Sequence, residues 1–414
     1  MSAAAKAPPG TLPGSHFAAA LVFLLIGITS LVVHAHELAA ASYLDPRLTA
    51  TTHLFTLGWI TTSIMGALYQ FLPVALGQPI RSVRLAYATL ILYVPGLLLF
   101  VTGLGTGHPL LMLPGAALFG TGVLLFIGNM CATLHRATKR DVTWYALACA
   151  VFFLTVTLVL GLALAGNLRW GYLGANRMTA LGVHMHVALA GWVLLVMVGV
   201  AHRLLPMFLL SHGAKDHFAK AAVALIATGA ALLAFVHHGP PLVGRWLPAL
   251  LIALGCIAFL LQARSFYRHR HRRALDPGMR LAAGALGILA LALIFAWPVI
   301  VSGANANIAV AYIMTVLLAI SLFVAAHYFK IVPFLVWYHR FGPLAGKRPV
   351  PRVNELYSVR TAFAAAGLLA TGALTLIVGV PHASAPVARA GALLMLAGAA
   401  TESTQMFMLW RMRP

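Results

Sequence analysis

Charge is what this sequence has least of. Only 8% of its 414 residues are Asp, Glu, Lys or Arg, against about 25% in an ordinary soluble domain. A chain so poor in charge, and 61% hydrophobic, cannot dress the surface of a soluble globule. An all-α polytopic membrane protein is expected. Acids are scarcest. The seven are Glu37, Asp45, Asp141, Asp216, Asp276, Glu355 and Glu402, and Glu402 alone falls clearly inside an apolar run. Cysteine is nearly missing too. Cys131, Cys149 and Cys256 stand apart with no CxxC pair, which excludes a disulfide scaffold or thiolate zinc site and reads as three small buried hydrophobes. No cleavable signal peptide is read, because the polar start MSAAAKAPPGTLPGSH runs into an apolar span too long for one.

The basic residues outnumber the acids, giving a net charge of +21. Their placement argues against nucleic acid. Apolar spans are expected at roughly 17–35, 50–75, 84–105, 110–134, 143–166, 180–208, 219–237, 246–264, 280–301, 307–335, 360–380 and 387–410, about twelve helices. Arginine and lysine crowd alternate connections: Arg81 and Arg84, Arg136 to Arg140, Arg203 to Lys220, Arg264 to Arg280, Arg340 to Arg352, and Arg411 with Arg413. The intervening connections are much poorer in charge. By the positive-inside rule both termini are cytoplasmic, with anionic lipid as a secondary partner of the basic loops. The expected layout is a cytoplasmic tail, 1–16, and a single transmembrane domain, 17–414, in three pseudo-repeats of four helices, roughly 17–134, 143–264 and 280–410.

Two stretches share one frame. HLFTLGWITTSIMGALYQFLP, from His53, and HVALAGWVLLVMVGVAHRLLP, from His186, both read His-x4-Gly-Trp-x6-Gly-x6-Pro at an offset of 133 residues. Five identities at identical spacing mark an internal repeat. Aligning Pro333 with Pro206 gives a third place on the tenth span, where Ile313 stands instead of histidine. His184 lies two residues before His186, about 200° round a helix, so the two imidazoles serve opposite sides. By the expected topology His34, His36, His53, His184, His186, His237 and His238 collect near the outer side. Imidazole there suits haem iron or copper, and ionisable groups at that depth are costly and usually functional.

Matched places in the repeat put His53 and His186 at matched depth, as two axial haem ligands would need. Gly58 and Gly191 would leave room for a flat macrocycle or else let helices pack closely. His184 would meet a second haem, or join His237 and His238 at copper. The adjacent pair can share one metal only at an irregular helix end, which Gly239-Pro240-Pro241 supplies. Arg169 and Arg177 with Trp170 would hold haem propionates or act as an interfacial anchor.

The His-x-His, Gly-Trp and adjacent-His motifs resemble subunit I of the heme–copper oxidase superfamily, most closely the C-family oxidases and nitric oxide reductases. The resemblance is specific only over spans 2, 6 and 7. It implies a twelve-helix array in the bacterial inner (cytoplasmic) membrane, b-type haem, copper, and reduction of nitric oxide or oxygen. A quinol or cytochrome donor and partner subunits are further implications. On this plan His53 and His186 hold the low-spin haem, His184 the high-spin haem, and His237 with His238, joined by His34 or His36, the copper. The His-x-His lies on span 6 rather than span 10, so His186 matches the family's sixth-helix copper ligand in the alternative. So few buried acids argue against proton pumping. NnrS-type proteins, which act in resistance to nitric oxide, are a second resemblance, through His34-Ala-His36-Glu37. A non-catalytic haem or copper carrier or sensor, and a metal or proton transporter, are the competing functions.

Overall fold

Long apolar runs leave a backbone no way to satisfy its polar groups in lipid except by coiling on itself, and the chain does so throughout. The computed structural model describes residues 7–272, 274–302 and 306–413. The first six residues of the expected tail, and Arg273 of the basic loop, lie outside them. Among the described residues there is no strand, only an isolated bridge between Ser211 and Arg270. The helices are α1 (Thr11–Val33), α2 (Ala35–Ala39), α3 (Pro46–His53), α4 (Thr62–Leu76), α5 (Val83–Thr106), α6 (Pro109–His135), α7 (Val142–Trp170), α8 (Arg177–His186), α9 (Leu195–Leu209), α10 (His217–Val236), α11 (Leu247–Arg268), α12 (Pro277–Ser302), α13 (Ala306–Val336), α14 (Val359–Gly379) and α15 (Ala385–Arg411).

Joined end to end where they run on, they give eleven helices long and apolar enough to cross a membrane among the described residues. Twelve were expected. The last, α15, is helical but is not among the eleven, because Thr401-Glu402-Ser403-Thr404-Gln405 is a polar run in its second half. Outward-facing side chains are apolar, with Leu110 90% exposed and Ile91, Ile294 and Trp297 each 68% exposed. Such a surface suits a bilayer rather than water.

The chain divides into two compact units. One is built mainly of Leu68–Arg273, the other of Pro9–Ala67 and Ala274–Pro414. In the first, α5 and α6 form a tight hairpin. A Cβ on Gly96, Gly103 or Gly115 would fall 2.3–2.4 Å from the partner's backbone, so the small residues set the distance of closest approach. Gly107, in a left-handed conformation with φ +70°, closes α5. Hairpin α10–α11 has the same form, with Gly229 and Gly255 at its contact. In the second unit α14 and α15 do likewise at Gly372 and Gly391.

One device recurs in all three hairpins. Near the end of the second helix a buried amide side chain reaches the backbone at the start of the first. Asn129 donates to Ser82 O at 2.8 Å and accepts from Ser82 N at 3.0 Å. Gln262 donates to Lys215 O and accepts from Ala219 N, both at 3.0 Å. Gln405 donates to Ser358 O at 3.0 Å. Ala219 N is one of the amides a helix start leaves open, while Ser82 O and Ser358 O gain a second donor beside Ala86 N and Ala362 N.

Polar caps fix the loops between. Asp45 begins α3, accepting from Arg47 N at 2.8 Å and Arg47 Nε at 3.0 Å. The Arg47 side chain, with that backbone bond, holds the Asp45 carboxyl down at about 2. A depressed carboxyl supports the fold above its unfolded value and loses that support as pH falls through the folded one. Amide-exchange protection at the start of α3 is therefore expected to fall between about pH 4 and 2. Unchanged protection over that window would show that the cap does not hold the helix.

Candidate functional site

The two repeated stretches fold alike, residue for residue. After His53 the helix widens into a π segment, π1 (Leu54–Thr61), and resumes as α4. After His186 it widens into π2 (Val187–Leu194) and resumes as α9. Both π segments have eight residues, and both following helices have fifteen. π-Helix is rare and concentrates at functional sites. The third equivalent place, around Ile313, is plain α-helix within α13. At these three places histidine and π segment are present together or absent together; two shorter π segments, Leu242–Trp246 and Trp337–Phe341, lie elsewhere and follow Pro241 and Val336.

His53 and His186 are half-buried. Each directs Nδ1 at the carbonyl four residues back, Thr49 O and Gly182 O, both at 2.8 Å. A carbonyl can only accept, so Nδ1 carries the proton, and in the neutral ring the lone pair is then on Nε2. Backbone carbonyls orient metal-binding imidazoles in this way. The bond alone does not distinguish these two, because His16 and His327 make it to Leu12 O and Phe323 O. The π segment does.

The rest of the frame is packing. A Cβ on Gly58 would stand 2.7 Å from Cβ and Cγ of Phe23 on α1, and one on Gly191 would stand 2.8 and 2.7 Å from the same atoms of Phe153 on α7. Gly66 and Gly199 repeat the arrangement a helix turn or two further on. Gly66 faces His16 Cβ and Pro13 O, and Gly199 faces Ala146 Cβ and Thr143 O. In every case the contacts on α7 lie 130 residues after those on α1. The expected room for a macrocycle at Gly58 and Gly191 is therefore taken by two phenyl rings, and the close-packing alternative holds. Trp59 and Trp192 are buried. Trp59 lies against Tyr328 with ring centroids 5.0 Å apart, and Trp192 against Phe126 at 6.1 Å.

His184 lies on α8 with its ring over Gly161 of α7, where a Cβ would come within 3.0 Å of Cε1. His237 and His238 follow the last residue of α10. Their ring centroids are 3.9 Å apart at an interplanar angle of 44°, and His237 Nδ1 is 3.3 Å from Ala234 O. His34 follows α1 and lies 3.8 Å from Glu37, whose carboxylate pairs with Arg47 at 3.0 Å. The Glu37 carboxyl is held below its usual value, first by its own backbone amide, then by Arg47, His34 and His36. His36 is exposed. Arg169 and Arg177, also exposed, sit at the end of α7 and the start of α8.

No three histidine, cysteine or acidic side chains come together as a metal site among the described residues. His237 and His238 are neighbours, and no third histidine, cysteine or acid joins them as a metal group among the described residues. Sequence spacing also missed a polar group in the second unit. Tyr328 Oη is 2.8 Å from Ser63 Oγ, and no motif links residues so far apart in the chain.

Comparison of the chain with protein-family models and with curated proteins finds no match to either.

Proposed function

We propose that the chain is a membrane redox protein that binds haem and copper and acts on nitric oxide or oxygen, in the manner of the heme–copper oxidases it resembles. The observation supporting this reading is the paired occurrence of a carbonyl-oriented imidazole and a π segment at His53 and His186, and the loss of both at Ile313. The donor chemistry fits haem, since each imidazole is oriented by a carbonyl at Nδ1 and, in its neutral form, has its lone pair on Nε2. The glycines offer no cradle for the ring, so its edges would be met elsewhere. Bound haem would supply an iron that exchanges one electron and takes a diatomic gas. His53 and His186 would each offer a carbonyl-oriented imidazole to iron, and His184 would offer one to a second iron. His237 and His238 would offer neighbouring rings to copper. Arg169 and Arg177 would neutralise haem carboxylates.

A second reading, a non-catalytic haem carrier or an NnrS-like tolerance protein, draws support from the absence of a three-ligand cluster among the described residues.

A reduced-minus-oxidised spectrum of the purified full chain, before and after carbon monoxide, with metal analysis, separates these. Sharp bis-histidine bands, a gas-sensitive fraction and copper are expected of the reductase. Sharp bands inert to carbon monoxide would leave the carrier. A colourless protein would sink both and favour transport.

A further inference from the structure

Six of the seven acids have a basic partner. Glu37 and Asp45 pair with Arg47 at 3.0 and 2.7 Å, and Asp141 pairs with Arg203. Asp216 meets Lys220 at 3.1 Å, Asp276 meets Lys330 at 2.6 Å, and Glu355 approaches Arg352 at 4.0 Å. Glu402 differs. It is 0% exposed, and neither carboxyl oxygen has a hydrogen-bond partner among the described residues.

Its position makes this pointed. Gln405 does in its hairpin what Asn129 and Gln262 do in theirs. Three residues before those amides stand Phe126 and Phe259, both buried. Glu402 puts a carboxyl where the other two hairpins put a phenyl ring. Nothing in hairpin packing requires that.

An ionised carboxylate only accepts. Beside it, Gln405 Oε1 is a further buried acceptor with no partner. Buried acceptors without donors are costly, and an unpaired buried charge more so. The charged and titratable groups of the helices packed on α15 do not supply the deficit. Lys330 on α13 is bonded to Asp276, Glu37 on α2 to Arg47, and Arg360 on α14 is exposed. His16 on α1 and His327 on α13 turn Nδ1 to their own backbones. Tyr328 on α13 lies within electrostatic range of Glu402 without a hydrogen bond to it. Its hydroxyl leads to Ser63. A proton turns one oxygen of the carboxyl into the missing donor.

We propose that Glu402 is a proton-binding site within this unit, with the Tyr328–Ser63 hydroxyl pair as its exchange partner. The site stands whether or not the chain binds haem.

Infrared difference spectroscopy in H2O and D2O tests it, on the full chain in an ester-free detergent at neutral pH. The other six acids are ion-paired, so the carbonyl-stretch band of a protonated carboxyl belongs to one residue. The expected result is a single such band, shifted down in D2O, unaffected by sodium, lost in Glu402→Gln and displaced in Glu402→Asp. Tyr328→Phe should slow the deuterium shift. No protonated band in the wild type would overturn the proposal. A band that sodium abolishes would replace the proton with a metal cation. Unchanged exchange in Tyr328→Phe would remove the hydroxyl pair from the assignment. If Glu402→Gln fails to fold, Glu402→Asp and Tyr328→Phe still decide.

Discussion

Alanine in place of His53 is expected to abolish the bis-histidine haem spectrum of the full chain, and His186→Ala is expected to do the same. Each imidazole is oriented by a main-chain carbonyl, at Thr49 and Gly182, so no other side chain inherits its position when it is removed. His327→Ala is the control. That ring makes the same bond to the carbonyl four residues back, but no π segment follows it directly. It should leave the haem content unchanged. His184→Ala should keep the sharp bands and remove the response to carbon monoxide. Equal haem content in wild type, His53→Ala and His186→Ala would dismiss both residues as ligands. The measurement is haem per protein by pyridine haemochrome, read beside the optical spectrum.

The second large effect is on stability. Gly58→Ala places a methyl group 2.7 Å from Cβ and Cγ of Phe23, and Gly191→Ala does so against Phe153 at almost the same distances. Those atoms are anchored close to the partner backbone, so relief requires the helices to move apart. The cost expected of such overpacking is about 1–3 kcal/mol at each site. Phe23→Ala combined with Gly58→Ala should recover part of the loss, as should Phe153→Ala with Gly191→Ala. Double-mutant cycles on thermal midpoints in detergent measure the coupling. Strict additivity in both cycles would show that glycine and phenylalanine do not touch in the folded protein.

Much of this was legible in the letters. The scarcity of charge gave helices that suit lipid, and the His-x4-Gly-Trp-x6-Gly-x6-Pro frame picked out two segments that fold with the same element boundaries. The third place, where Ile313 stands instead of histidine, is plain α-helix. The π segments were not legible, since one residue extra per turn leaves no mark on an all-apolar stretch. Nor was the role of Gly58 and Gly191, because a glycine that admits a cofactor and one that admits a phenyl ring are the same letter. The ring that fills each notch comes from another helix. Glu402 was conspicuous as an acid within an apolar run. Its lack of a partner was invisible, because it depends on where Lys330 and Arg47 spend their charges. The polar run around it also explains why α15 fell short of the expected twelfth span.

The eight-residue π segments bear on how such a chain can change by mutation. A helix wound wider than normal holds a surplus residue, and losing one codon there returns the stretch to ordinary winding without breaking the rod. The turns on either side then keep their register, because the deleted residue is the one the wider winding had absorbed. For the segment after His53, Trp59 and Ser63 would stay against Tyr328 while only the bulge between them and His53 disappears. A single in-frame deletion is thus a route from the form seen after His53 to the plain α-helix that α13 shows around Ile313.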